Sequence, residues 1–148
     1  MNQSERIEQI LAENGIYVGL TKGVSMQPML RAGRDTILIS PVKGRLKKYD
    51  VPLYRRGDDY VLHRVVKVCE KDYVICGDNC VAKEYGIADE QLVGVLSGFR
   101  RGDKYVSIDS RGYRLYARVW VASYPLRRPL MSLLARARRW LRKLRAKK

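Results

Sequence analysis

The sequence predicts a mainly β domain preceded by a short helix and followed by amphipathic helices. Between residues 16 and 108 the apolar residues fall in short runs, bounded by bends rich in glycine, aspartate and asparagine. Before and after that stretch they recur at helical spacing. Charge divides the chain at the same place. Residues 1–110 carry 17 Lys/Arg and 15 Asp/Glu, whereas residues 111–148 carry 13 Lys/Arg and no acid. The net charge of +15 thus belongs to a C-terminal segment attached to a nearly neutral domain. With 46% hydrophobic residues among 148, one domain with its own core is expected over residues 1–110, followed by a basic helical tail over 111–148.

The elements follow in order. Ser4 is placed to cap a helix whose Ile7, Ile10 and Leu11 share one face, and Asn14-Gly15 supplies its stop. About seven short strands are then expected: "IYVGL", "TILISPV", "VPLYRR", "YVLHRVVKV", "YVIC", "LVGVLSGF" and "YVSI". The bends between them include "GDD", "EKD", "GDN" and "RRGDK", so Arg101-Gly102-Asp103 reads as a hairpin turn. Arg111 to Tyr124 is apolar and tyrosine-rich up to Pro125. After Pro129, Leu130, Leu133, Leu134, Ala137, Trp140, Leu141 and Leu144 fill one arc of a helical wheel. Arg136, Arg138, Arg139, Arg142, Lys143 and Arg145 fill the other side.

No apolar run reaches the ~20 residues that span a bilayer, and the first residues hold glutamates where a secretory leader has an apolar run. No transmembrane helix is expected. Cys69, Cys76 and Cys80 make an odd count, which suits reduced thiols. The expected location is cytoplasmic, or peripheral on the cytoplasmic membrane face. The cysteines and His63 do not make the paired spacing of a zinc site, and neither metal nor cofactor is expected.

Chemistry centres on "KGVSMQPMLR", Lys22 to Arg31, where Ser25 stands between Gly23 and Pro28. A nucleophilic serine needs a base within hydrogen-bond reach, and that base needs a third group to orient it. The chain has one histidine, His63, in "YVLHRVV". An imidazole titrating near ~6.5 serves as a base at neutral pH, whereas a lysine would first need its pKa lowered by several units. Composition alone leaves two readings open: a Ser25–His63 pair, or a turn serine and a histidine packed at a strand edge.

Taken together, these stretches resemble a known family. "GVSMQPML" resembles the Ser-Met-x-Pro box of type I signal peptidases and LexA-like self-cleaving peptidases. "YDVPLYR" resembles their Gly-Asp-Val-Val box, with Tyr49 in place of the glycine. "YVLHRVVKV" resembles the box carrying the general base, "CGDNC" the Gly-Asp-Asn box, and "QLVGVL" the apolar strand after it. The five boxes stand in the family's order over roughly residues 18 to 98. The His-Arg-Val at His63 is similar to the endoplasmic-reticulum, archaeal and sporulation-type enzymes, which use histidine where bacterial signal peptidases use lysine.

The resemblance implies a signal peptidase/LexA-like β domain, with Ser25 as nucleophile and His63 as general base. It places Asp78 and Glu84 in the site as candidate orienting acids, Glu84 slightly ahead. Many signal peptidases carry a serine where this chain has Gly23, so backbone amides alone would bind the oxyanion. Met26 is either an apolar floor for substrate or a core filler.

The activity implied is hydrolysis of a peptide bond in a peptide or protein precursor by a serine endopeptidase. Routine removal of secretory leaders is not expected, because the family's usual N-terminal membrane helix has no counterpart. LexA-type self-cleavage fits poorly, since the sole Ala-Gly, Ala32-Gly33, follows the serine. The alternative is a catalytically inactive module that keeps the fold and docks through its tail. For residues 127–148 the expected partner is an anionic membrane surface. Packing back on the β domain is the second reading, and nucleic acid, which would leave the apolar arc unused, is the least favoured.

Overall fold

The computed structural model describes residues 3–145, without the side chains of residues 3–5, 141 and 143–145. The chain is mixed α/β, with a short N-terminal helix, antiparallel sheets that include a half-barrel, and two C-terminal helices. Helix α1 spans Gln3–Asn14. Ser4 lies inside α1 rather than at its cap. The C-terminal stop is as expected: Gly15 adopts φ +68° and its amide bonds Leu11 O at 3.0 Å. Ile7 and Leu11 are buried, and Ile10 is half-buried.

Among the described residues nine strands follow: β1 (Tyr17–Leu20), β2 (Asp35–Ser40), β3 (Pro52–Arg56), β4 (Asp59–Leu62), β5 (Arg64–Val68), β6 (Asp72–Cys76), β7 (Glu84–Ala88), β8 (Leu92–Arg101) and β9 (Lys104–Ser107). They form two antiparallel sheets. The larger runs β1-β2-β8-β3-β4, with β9 also on β8, and the smaller runs β5-β6-β7. The strands beyond the expected seven have specific origins. "YVLHRVVKV" divides at His63, because β4 pairs with β3 while β5 pairs with β6 in the other sheet. Strand β7, "EYGIA", holds Glu84, Tyr85 and Gly86 before its first buried residue, so its sequence shows little strand alternation. The bends "GDD" and "RGD" are two-residue hairpins closed by Arg56↔Asp59 and Arg101↔Lys104. Each begins with a glycine at φ +59°.

Two cores result. One gathers Ile7 and Leu11 of α1, Met26, Met29 and Leu30 of the serine loop, and Ile37, Ile39, Leu53, Leu96 and Phe99 of the large sheet. The other lies between the sheets around Tyr54, Val65, Tyr73, Ile75 and Ile87. Helix α2 (Arg111–Ala122) starts at the expected boundary, capped by Ser110, whose hydroxyl accepts from the Tyr113 amide. It adds Tyr113 and Ala117 to the first core, so the part of the tail up to residue 122 belongs to the domain. Helix α3 (Tyr124–Arg145) follows at once and contains Pro129, which the sequence reading placed before the helix. Beyond Ser132 its described side chains are exposed, so packing back on the domain does not account for its stripe. The placements expected for Leu141, Lys143, Leu144 and Arg145 fall on side chains outside the described ones. Among the described residues, no helix is long and apolar enough to cross a membrane.

A chain ending at residue 110 loses Tyr113 and Ala117 from the core and bares the buried cluster described below. Urea unfolding should place it about 3–5 kcal/mol below a chain ending at 128. Equal midpoints would separate α2 from the domain.

Candidate active site

The loop between β1 and β2 carries Ser25. Gly23, at φ +73°, turns the chain into it, and Gln27-Pro28 is a cis peptide. Burial of Met26, Met29 and Leu30 fixes the loop to the core and leaves Ser25 half-buried beside them. Met26 belongs to the core and also lines a cleft of about 560 Å³. Ser25 and His63 line that cleft together, with Tyr17 and Leu20 of β1 and Tyr60 and Leu62 of β4. Among the described residues no hydrogen bond joins the Ser25 hydroxyl to the imidazole.

His63 stands where the chain passes from one sheet to the other. Its Nδ1 lies 2.9 Å from Glu84 Oε1. Glu84 opens β7, and the same carboxylate oxygen accepts from Tyr54 Oη at 2.9 Å and Arg56 Nη1 at 3.3 Å. With Nδ1–H donated to Glu84, the imidazole keeps the Nε2 lone pair as its acceptor. Burial lowers the His63 pKa from its ordinary value, and the neighbouring Glu84 charge opposes that shift only in part. The neutral base is therefore the resting form at neutral pH.

Asp78 does not share this task. Its carboxylate receives Arg64 Nε and Nη2, both at 2.8 Å, and Tyr116 Oη at 2.9 Å. Arg64 is wholly buried and also donates to Tyr113 Oη, 3.1 Å, and Tyr49 O, 3.2 Å. A guanidinium enclosed in this way needs a carboxylate at bonding distance. Asp78 is committed to that charge, and Glu84 is the acid at the imidazole. Asp78, expected beside Glu84 as a candidate orienting acid, is thus the ion-pair partner of Arg64.

Residues 77–80 hold the serine loop in place. Asn79 N bonds Ser25 O at 2.7 Å, and Asn79 Nδ2 bonds Val24 O at 3.1 Å. Gly77 lies where three segments meet. A Cβ there would come within 2.6 Å of Cys80 Sγ, 2.8 Å of Ser25 O and 3.0 Å of His63 Cδ2. A second clasp comes from the helices. Trp120 Nε1 and Arg127 Nη1 both donate to Asp78 O, at 3.0 and 2.9 Å, and the Arg127 guanidinium stacks 3.9 Å from the Trp120 ring centre. Arg127, counted among the lipid-facing cations in the sequence, is occupied here. Tyr49, where the motif has glycine, adopts φ +83°, the region glycine favours.

The sequence reading did not assign Tyr54, Arg64, Asn79, Tyr116, Trp120 or Arg127 to this region. Tyr54, Arg64 and Asn79 stand inside the quoted boxes, so their spacing was a signal. The others reach the site only through tertiary packing. Cys69, Cys76 and Cys80 are free thiols. Burial pushes the Cys76 thiol up to about 11 and that of Cys80 upward as well, so both stay protonated. Among the described residues no cluster of metal-ligating side chains occurs. No protein-family model, curated protein or solved structure matches this chain.

The two acids should separate in stability measurements. Asp78→Asn leaves a buried guanidinium uncompensated and should cost about 3–5 kcal/mol, whereas Glu84→Gln at a half-buried position should cost under about 1 kcal/mol. Equal costs would contradict the division of roles. Because the folded His63 pKa is depressed, its contribution to stability is complete above the unfolded value of ~6.5 and is lost as pH falls through the folded value. In His63→Gln, stability should be less pH-dependent over that window.

Proposed function

We propose that this protein is a serine endopeptidase of the signal-peptidase-like type, cutting a peptide bond in a peptide or protein precursor. The observation that carries the reading is the His63–Glu84 pair, 2.9 Å apart, in a cleft that Ser25 also lines. The ordered boxes of the sequence support the same assignment. The Ser25 hydroxyl gives its proton to His63 Nε2 as Oγ attacks the peptide carbonyl carbon. Glu84 holds the imidazole in the needed tautomer and stabilises the imidazolium. Backbone amides at the serine loop, with that of Ser25 foremost, receive the oxyanion, consistent with glycine at position 23. The imidazolium passes its proton to the leaving amine nitrogen as the C–N bond breaks, leaving an acyl group on Ser25. Water, deprotonated by the same imidazole, then releases the acid and restores the hydroxyl.

The cleft suits an extended chain. It is lined by residues of β1 and β4, the outer strands of the large sheet's main path, and an outer strand is where a peptide can add as a further strand. Cys80 also lines the cleft, but its raised pKa makes it a poor rival nucleophile.

Profiling with a peptide library tests this directly. Purified protein should cut a defined subset of peptides, and Ser25→Ala and His63→Ala should each abolish cutting. Glu84→Gln should lower kcat/KM about 10³–10⁴-fold with the fold intact. The acidic limb of kcat/KM should inflect below ~6.5, the ordinary imidazole value. Unchanged turnover in either alanine variant would remove the mechanism.

A further inference from the structure

The two C-terminal helices carry an apolar stripe that the domain does not cover. Leu115 and Val119 of α2, and Leu126, Leu130, Leu133 and Trp140 of α3, are each between 57% and 79% exposed. Successive members are four, seven, four, three and seven positions apart, so they keep the helical repeat through both helices. The two helices meet at Ser123, which caps α2. Ser123 stays in the right-handed helical region at φ −76°, ψ −5°, and its carbonyl accepts from the amides of Leu126 and Arg127. The stripe therefore begins at Leu115 rather than at Leu130, on a helix anchored in the core.

The charge around the stripe selects its occupant. Residues 111–148 hold 13 Lys/Arg and no acid. Beside α2, Lys43, Lys47, Lys48, Arg114 and Arg118 line one cleft, where Asp50 and Asp109 are the acids. A second copy of the same helices would bring two acid-free cationic surfaces together, and their repulsion opposes pairing. Nucleic acid would neutralise the cations but leave the leucines and Trp140 in water. An anionic lipid surface meets both demands, taking the stripe into its headgroup–acyl boundary and the cations at its phosphates. We propose that α2 and α3 form one docking face for an anionic bilayer surface, running from Leu115 to at least Trp140. Arg127 is excluded from that face by its stacking on Trp120. It serves as the anchor that fixes α3 to the Asp78 turn.

This inference stands apart from the peptidase reading and is tested without any cleavage assay. The full chain is sedimented with vesicles of mixed phosphatidylglycerol and phosphatidylcholine, and with phosphatidylcholine alone. Binding to the anionic vesicles is expected, at least about tenfold tighter than to the neutral ones, with a blue shift of tryptophan emission that Trp140→Phe largely removes. Leu133→Glu should weaken binding about tenfold, and Leu115→Glu several-fold. Both sites are exposed, so the variants should fold, as circular dichroism can verify. Several results would overturn the proposal: no binding to anionic vesicles, equal binding to neutral ones, or a lipid-free dimer in which Trp140 is already shielded. Wild-type affinity in Leu115→Glu would overturn the assignment of α2 to the face.

Discussion

Arg64 is the largest side chain wholly enclosed among the described residues, and an enclosed guanidinium is tolerated only where hydrogen bonds and a counter-charge meet it. Asp78 supplies the charge, and the hydroxyls of Tyr113 and Tyr116 bring α2 against the pair, Tyr113 on Arg64 and Tyr116 on Asp78. That commitment fixes the turn at residues 77–79. From the turn, Asn79 reaches the carbonyls of Val24 and Ser25, and the bare Cα of Gly77 lets the serine backbone and the imidazole come close. Removing one partner of such a pair costs more than the pair itself contributes, because the orphaned charge stays buried. The ion pair therefore acts mainly as a positional constraint, and it leaves Glu84 as the carboxylate bonded to the imidazole.

The site is assembled from both sheets. Ser25 comes from a loop of the large sheet, Glu84 from the first position of a small-sheet strand, and His63 from the residue where the chain changes sheets. A residue at such a crossing is free of ladder pairing on either side, so its ring can face the cleft while its neighbours pair. Arg64, next along, points into the interior and anchors the crossing. The dipeptide His63-Arg64 thus turns one side chain to the cleft and one to the interior.

The sequence revealed much of this because the strands are short, bounded by glycine turns and mostly alternating. It did not reveal that "YVLHRVVKV" is two strands. Continuous apolar residues look alike whether the partner strand changes or not, and only the competing pairings with β3 and β6 decide it. Strand β7 stayed hidden because Glu84, Tyr85 and Gly86 are chosen for the site or left in solvent, and only Ile87 is buried. The choice between Asp78 and Glu84 was likewise beyond spacing, since both fall near the imidazole in sequence. The burial of Arg64 decides it, and burial is a property of the packed chain. The amphipathic character of the last helix was legible. That α2 belongs to the core was not, because its stripe looks the same whether its other face packs or not.

The central claim is that this packing activates one hydroxyl. Peptide mapping by mass spectrometry after exposure to a fluorophosphonate reads it most directly. The account predicts a single adduct on Ser25 in the wild-type chain and none on Ser25 in His63→Ala. A wild-type protein that takes up no label, or a Ser25 labelled equally fast without the imidazole, would contradict it.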